Sequence, residues 1–388
     1  MTHPAYALYL HIPFCAKRCP YCDFNTYAGL EDQFDAYTVA LCREIRQAGE
    51  ARARPPVRTV FIGGGTPTVL EPELLGRILG ACREAFAIAP TAEITSEANP
   101  GTVDRERFAA LRALGVNRLS MGVQSFDDAE LQWLGRIHNA IEAECSFEAA
   151  RTAGFDNINL DFMFGLPDQQ PETWARTLAR ALALDPEHLS LYSLIVEEGT
   201  PLADWIRRGA VTEPDDDLAA DLYTHAMGAL AATGFDQYEI SNWGRAGREC
   251  RHNLVYWRNE PYLGFGAGAH SFDFSPDAPE GGRRWWNVRS VPAYIKRMRS
   301  GPEAREGEEI ITPPLAMGET MMVGLRLVRE GVKDDRFRAR FGLGLTDVFG
   351  ETIERLVTDG LLERTVEGVR LTPRGRLLGN QVFAAFLP

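Results

Sequence analysis

The sequence predicts an α/β chain: six strand–helix units forming a parallel barrel or partial barrel, followed by a winged-helix-like α+β domain at the C-terminus. Short apolar strands alternate with helices six times between residues 7 and 195, a pattern that pairs strands in parallel through right-handed crossovers. Residues suited to chemistry recur at the ends of those strands, where barrels collect their reactive groups. Past residue 312 helices precede a hairpin, the order of a winged helix.

Residues 7–12 read as the first strand, and Phe34, Tyr37, Leu41 and Ile45 mark the face of the helix after it. Residues 58–62 form a short strand running into Gly63-Gly64-Gly65-Thr66-Pro67-Thr68, with Leu75, Ile78, Leu79, Cys82 and Phe86 on the next helix. Residues 92–96 lead to Glu97, and Asn99-Pro100-Gly101 turns into a helix around Phe108, Leu111 and Leu114. Residues 118–123 lead to Gln124 and Ser125. A helix terminated by Gly154 precedes strand 155–164, in which Ile158, Leu160, Phe162 and Phe164 alternate around Asp161. Residues 189–195 are the sixth strand. Residues 214–230 then read as helix and 235–240 as a further strand. The glycines of Gly264-Phe265-Gly266-Ala267-Gly268 lack the strand-turn-helix context and later acidic residue of a dinucleotide fingerprint, so close backbone packing beside the barrel mouth is expected of them. From Thr312-Pro313-Pro314 onward, two or three helices (315–327, 335–341, 347–358) precede a hairpin at 362–371 turning at Glu367-Gly368, and Thr372-Pro373 opens a last helix. The predicted divisions are a core at 1–240, an extension at 241–311 and a final domain at 312–388.

A chain of 388 residues accommodates one large barrel plus a smaller domain, and 45% hydrophobic content is ordinary for a globular protein. Lys+Arg 41 against Asp+Glu 54 gives a net charge of -13, which disfavours nonspecific adhesion to nucleic acid or anionic lipid. Residues 1–14 lack a basic lead or small-residue cleavage site, and no segment approaches a membrane span, so a cytoplasmic location is expected. Seven cysteines is an odd count, with three in one loop, which favours a reducing compartment and a metal site over disulfides. Cys42, Cys82 and Cys145 fall beside apolar residues at helical spacing and are expected to be buried thiols.

Cys15, Cys19 and Cys22 recur with three and then two residues between them. Thiolates ligate iron–sulfur clusters, and short spacers let sulfurs from one loop converge on one cubane, leaving the fourth iron for an exchangeable ligand. A structural zinc knuckle would require a fourth Cys or His close by, and Phe24 and Asn25 follow instead. The triple glycine lets backbone groups approach a ligand without Cβ interference. Glu97 and Asp161 can accept bonds from an ammonium or from ribose hydroxyls; Gln124 both donates and accepts; Arg136 can fork onto a carboxylate or, alternatively, cap the helix that begins near Asp127. In His252-Asn253-x-x-Tyr256-Trp257, a neutral imidazole suits heme iron, Tyr256 and Trp257 offer flat apolar surface, and Arg251 or Arg258 could pair with propionates. Cys250 is an alternative thiolate ligand. As residue types alone, such a histidine is more often a hydrogen-bonded core residue.

Cys-x-x-x-Cys-x-x-Cys with an aromatic residue before its last cysteine resembles the signature of the radical S-adenosylmethionine (SAM) superfamily. Tyr9-x-His11-Ile12-Pro13-Phe14-Cys15 and Cys19-Pro20-Tyr21-Cys22 are similar to the branch containing oxygen-independent coproporphyrinogen III oxidase and the HemW-type heme chaperones. The resemblance implies the open, partial (βα)6 form of a TIM-type barrel, with a 4Fe-4S cluster on Cys15, Cys19 and Cys22. It also implies SAM contacts at Tyr9, Tyr21, Gly64, Gly65, Thr66, Glu97, Gln124, Arg136 and Asp161. The His-Asn-x-x-Tyr-Trp stretch resembles the heme-binding motif of the chaperones, which implicates His252, Tyr256 and Trp257.

Two departures weigh against the oxidase: Phe24 stands where its pattern has a further cysteine, and the first cluster cysteine is already residue 15, whereas the oxidase has a longer leading segment. The expected function is therefore a heme chaperone that binds cluster, SAM and heme and delivers heme to an acceptor hemoprotein such as a respiratory cytochrome. The alternative is radical decarboxylation of propionates to vinyls. A homodimer and transient membrane association through a partner remain open, nucleic acid is not an expected partner, and the winged-helix-like end is expected to act as a lid or partner-docking element.

Overall fold

The computed structural model describes residues 5–275 and 278–387; the start of the stretch 1–14 and residue 388 of the last predicted division lie outside the described residues. Six strands, β1 (Tyr6–Ile12), β2 (Pro56–Gly64), β3 (Ala87–Ala98), β4 (Arg118–Gln124), β5 (Ile158–Phe164) and β6 (His188–Ser193), lie side by side in chain order, all parallel. Helices on the outside join them, beginning with Phe34–Ala51 and Pro72–Ala85. Strand β1 is buried along nearly its whole length, as a parallel strand covered on both faces must be. The pairing sets Ile12 beside Gly64, Ile62 beside Ser96, and Gly122 beside Asp161, so the strands end together at one rim.

The arc does not close. Past β6 the sheet continues antiparallel through β8 (Asn242–Gly244) to β7 (Asp236–Glu239), so the expected strand at 235–240 forms the edge and reaches β6 only through β8. On the other side β9 (Tyr262–Phe265) pairs in parallel with β1, followed by β10 (His270–Ser275), β11 (Ala278–Asn287) and β12 (Arg305–Ile311) as an antiparallel extension. The sixth strand stops at Ser193 rather than continuing to Ile195, whose side chain is exposed. Strand β2 already contains Gly63 and Gly64.

Three of the four cysteines outside the loop are buried, but Cys145 is exposed. It lies on helix Ala140–Thr152, whose core-facing positions are Ala143, Ser146, Phe147 and Ala150; Cys145 falls on the opposite side of that helix.

A half-buried carboxylate joins β9 to the barrel. Glu44, on helix Phe34–Ala51, accepts bonds from Gly266 N–H (2.9 Å), Asn287 Nδ2 (2.6 Å) and the Tyr294 hydroxyl (2.6 Å). Burial pushes its carboxyl up to about 7, against the lowering effect of these donors. The Tyr37 hydroxyl donates to the His11 carbonyl (2.7 Å) and accepts from Ala267 N–H (3.0 Å). Gly266 has a φ of +104°, and an added Cβ would meet the Tyr37 hydroxyl and the His11 carbonyl. The close packing expected of this glycine run is present.

Residues 313–386 form a second hydrophobic cluster around Phe337, Phe341, Ile353, Leu356 and Leu371, joined to the sheet through Phe272 and Ile311. Helix Pro313–Gly324, β13 (Val332–Lys333), helices Asp334–Phe341 and Leu345–Thr358, then β14 (Leu362–Arg364) and β15 (Gly368–Leu371) follow in winged-helix order, with β15 central in a three-stranded antiparallel sheet. The last helix starts at Thr372, whose hydroxyl caps Gly375 N–H, and is broken into Pro373–Leu377 and Gly379–Ala384. Among the described residues no helix is long and apolar enough to cross a membrane.

Gly266→Ala is expected to destabilise the fold by on the order of 3 kcal/mol, since a side chain there meets both a left-handed backbone and occupied space. Gly228→Ala, on helix Asp216–Ala232 with open space around it, should instead stabilise by up to about 1 kcal/mol. Denaturant unfolding midpoints check both signs.

Candidate functional site

A cavity of about 510 Å3 lies at the C-terminal ends of the parallel strands. Cys15, Cys19 and Cys22 border it, together with Tyr9, Tyr21, Gly64, Gly65, Thr66, Glu97, Gln124, Arg136 and Asp161. The structure thus brings every residue of the expected cluster and SAM sets to one space, of a size ordinary for cofactor pockets.

The cysteine loop is tied down at both ends. Cys15 N–H donates to the Tyr27 carbonyl (2.9 Å), and Tyr27 N–H to the Pro13 carbonyl (2.7 Å). Asn25 Nδ2 reaches the carbonyls of Ala267 and Arg289, each at 3.0 Å. The three thiols are half-buried, and each sulfur has a polar neighbour: the Thr66 hydroxyl at 3.8 Å from Cys15, Arg136 Nη1 at 3.4 Å from Cys19, and the Thr26 hydroxyl at 3.9 Å from Cys22. Burial pushes the Cys15 and Cys22 thiols up, and the neighbouring hydroxyls oppose it. Among the described residues no group of three or more His, Cys, Asp or Glu is set to hold a single ion. Three spaced sulfurs, one beside a guanidinium, fit an anionic sulfur-ligated cluster.

Past the end of β2 the chain keeps bonding to the cysteine strand: Gly65 N–H donates to the Ile12 carbonyl (2.8 Å) and Thr66 N–H to the Phe14 carbonyl (2.7 Å). Gly64 sits at φ +113°, and a Cβ there would strike the His11 ring; at Gly65 it would strike the Phe14 and Ile12 carbonyls. His11 in turn bonds the Tyr9 hydroxyl through Nδ1 and the Asn25 carbonyl through Nε2, both at 3.0 Å. Glu97 accepts from Gly64 N–H (2.9 Å). Burial raises its carboxyl to about 8; the Gly64 donor opposes this and Asp161 adds to it. Asp161, also raised by burial, accepts from Asn159 Nδ2 (2.8 Å) and the Ser120 hydroxyl (3.1 Å). Gln124 takes a left-handed φ of +72°, rare for a residue with a side chain, beside an irregularity in the β4–β5 pairing.

Arg136 does not cap a surface helix. It follows helix Asp128–Trp133 and Gly135, and its guanidinium donates to the Gly122 carbonyl (2.7 Å), to Asn99 Oδ1 and to the Cys19 sulfur.

The heme-motif residues divide. His252 and Tyr256 border the cavity, four residues apart on one face of helix Arg251–Trp257. Trp257 is not among its lining residues; it is turned about 100° from Tyr256 by the helix period, and its ring lies beneath the Arg326 guanidinium at 4.4 Å. The His252 ring is only 1% exposed, bonded at Nδ1 to the Thr59 hydroxyl and at Nε2 to the Tyr256 hydroxyl, both at 2.9 Å. Burial, with Arg118 and Arg58 nearby, pulls its pKa down to about 3, so it is neutral at physiological pH. Arg251 is directed to the Thr91 carbonyl and Arg258 to Glu330. Cys250 is buried, and burial pushes its thiol up to about 12, which disfavours a thiolate ligand.

Several lining residues were absent from the sequence reading: Phe61, Arg118, Ser120, Asn159 and Ser190. A usable signal existed. Ser120, Gly122 and Gln124 on β4, Asn159 and Asp161 on β5, and Ser190 and Tyr192 on β6 share a period of two, a polar row on one face of strands otherwise apolar. Asn99 holds Arg136 and had been read only as part of a turn.

A second cavity, of about 660 Å3, shares Tyr9, Phe24, Gly64, Glu97 and Tyr256 with the first.

Comparison with known proteins places these features. The Radical SAM superfamily signature matches residues 9–181, and the HemN C-terminal domain matches residues 311–378. The chain is 41% identical to the heme chaperone HemW of Bacillus subtilis, over 98% of each protein. It is 37% identical to the heme chaperone HemW of Escherichia coli, over 99% of this chain and 98% of that one. It is 36% identical to mouse radical S-adenosyl methionine domain-containing protein 1, mitochondrial, over 98% of this chain and 87% of that one. Among solved structures, the radical SAM enzyme coproporphyrinogen III oxidase (HemN) from Escherichia coli superposes with a TM-score of 0.83 at 25% identity, over 100% of this chain and 91% of that chain.

With Glu97 protonated at neutral pH, a ligand ammonium seated at the glycine run would drive its ionisation. SAM binding to cluster-reconstituted protein is therefore expected to release a proton at pH 7, and its affinity to rise with pH and level off above about 8, once Glu97 is ionised in the free protein. Calorimetry in buffers of different ionisation enthalpy checks the release; Glu97→Gln should weaken binding and remove the buffer dependence.

Proposed function

Because the chain belongs to the HemW family of heme chaperones within the radical SAM superfamily, we propose that it binds heme beside a 4Fe-4S cluster and SAM, and passes the heme to an acceptor hemoprotein. The observation that supports this most is the pair of adjoining cavities. One carries the cysteine loop, the glycine run and the carboxyls of Glu97 and Asp161; the other is aromatic-walled and of a size that suits a planar macrocycle.

Cys15, Cys19 and Cys22 would hold the cluster, and bound together cluster and SAM supply one-electron chemistry. The chain's own part is binding and orientation. Thr66, Arg136 and Thr26 stabilise the thiolates; backbone groups at Gly64 and Gly65 meet the amino-acid end of SAM; Glu97 takes its ammonium. Gln124 and Asp161 meet its polar remainder, Tyr9 and Tyr21 cover it, and the guanidinium of Arg136 offsets its carboxylate. Tyr256 stands between the two cavities. In this reading residues 1–240 hold the cofactors, 241–311 add the macrocycle wall, and 312–388 dock the acceptor in the cytoplasm.

The second reading, oxygen-independent coproporphyrinogen III oxidase, is favoured by the superposition on HemN along the whole chain. Phe24, 64% exposed at the rim of both cavities, stands where the oxidase pattern places a cysteine and counts against it.

Heme-loaded, cluster-reconstituted protein mixed with an apocytochrome b is expected to surrender its heme, read as growth of the cytochrome spectrum; retention of all heme would contradict chaperone action. Cys19→Ala should lose the cluster absorbance and the bound iron, and full iron content in that variant would remove Cys19 from the cluster.

A further inference from the structure

Which histidine can reach heme iron is a matter of free nitrogen atoms. Among the described residues His11, His188 and His252 have both ring nitrogens engaged. His138 is buried and bonds the Val123 carbonyl. His225 is exposed on helix Asp216–Ala232 and borders neither of the two adjoining cavities. His270 alone combines a place in one of those cavities with exposure and no hydrogen-bond partner on either nitrogen among the described residues.

Its setting suits a porphyrin. His270 begins β10 and pairs across the sheet with Trp286 on β11, and the two rings stack at 5.8 Å and 24°. Trp286 pairs in turn with Gly307, where an added Cβ would strike the indole, so the glycine lets the indole lie flat on β12. Phe24, Tyr256 and Tyr262 also line the cavity and add aromatic surface for a macrocycle. Arg289 is exposed at the rim and can pair with a propionate; the rim also carries Glu306.

We propose that heme occupies this second cavity with the His270 imidazole as an axial ligand of its iron, Trp286 stacked behind that ring and Arg289 facing a propionate. The inference rests on the heme-carrying reading above and names its ligand. Partial desolvation of one side of the ring, with Arg284 and Arg289 nearby, holds the imidazole below its usual range, so the lone pair is available at neutral pH without loss of a proton. His252 is the competing ligand; reaching it requires breaking its bond to Tyr256 or Thr59.

Anaerobic hemin titration of the full, cluster-reconstituted chain, read in the Soret band, tests this. Wild type is expected to bind with the spectrum of a histidine-ligated heme. His270→Ala should lose that spectrum and weaken binding about tenfold or more, with cluster absorbance unchanged because the side chain is exposed. Added imidazole should restore the spectrum, and His252→Ala should retain it. Wild-type spectrum and affinity in His270→Ala, or a loss that imidazole does not restore, would overturn the assignment while leaving heme binding intact. A wild type that does not bind hemin at all would overturn the heme-carrying reading and this inference with it.

Discussion

The position of β1 between two parallel neighbours constrains the rest of the molecule. Its pairing with β2 puts Ile12 beside Gly64, so the cysteine loop leaves the sheet next to the glycine run. Its pairing with β9 puts Leu10 beside Phe265, which brings the Gly266–Gly268 turn against the same loop. Asn25 bridges that turn and the segment after β11, and Glu44 and Tyr37 hold it from behind. Both cavities therefore share the wall that β1 supports, with Tyr9 facing each. A residue with a side chain at Gly64, Gly65 or Gly266 would push apart surfaces that must touch.

The electrostatics of the first cavity follow from its depth. Glu97 and Asp161 are held in low dielectric by dipoles, Gly64 N–H for one and Ser120 with Asn159 for the other, with no cation in direct contact among the described residues. Their raised pKa values express that shortage. Such a site favours a ligand that brings its own positive charge, as SAM does with its ammonium and sulfonium. Arg136, bonded to Cys19, Asn99 and Gly122, links the sulfur side of the cavity to the carboxylate side. The guanidinium beside the thiols, and the carboxyl groups that a cationic ligand would ionise, divide the site into complementary halves.

Much of this was legible in the sequence because the signals are local. Cys15, Cys19 and Cys22 sit within eight consecutive residues, Glu97 and Gln124 follow apolar runs whose period marks strands, and Asp161 interrupts one. The alternation of six such runs with helices is enough for a parallel arc. What escaped depends on pairings between distant segments. Nothing in residues 262–311 announces that β9 would join β1 in parallel and carry three antiparallel strands with it. Ser120, Asn159 and Ser190 look like ordinary strand residues until β4, β5 and β6 lie side by side. Trp257 reads with His252 along the chain but diverges around the helix, whereas His270 and Trp286 are far apart in sequence and meet only across the sheet. Cys145 was misjudged because helix Ala140–Thr152 has a weak apolar stripe of small residues.

The central claim is that this chain carries a porphyrin without transforming it. Anaerobic incubation of cluster-reconstituted protein with SAM, a strong reductant and coproporphyrinogen III, followed by chromatography, tests that most directly. The account predicts no protoporphyrinogen from a sample whose cluster absorbance is intact. Catalytic accumulation of protoporphyrinogen would contradict it and would show that Phe24 does not prevent propionate decarboxylation.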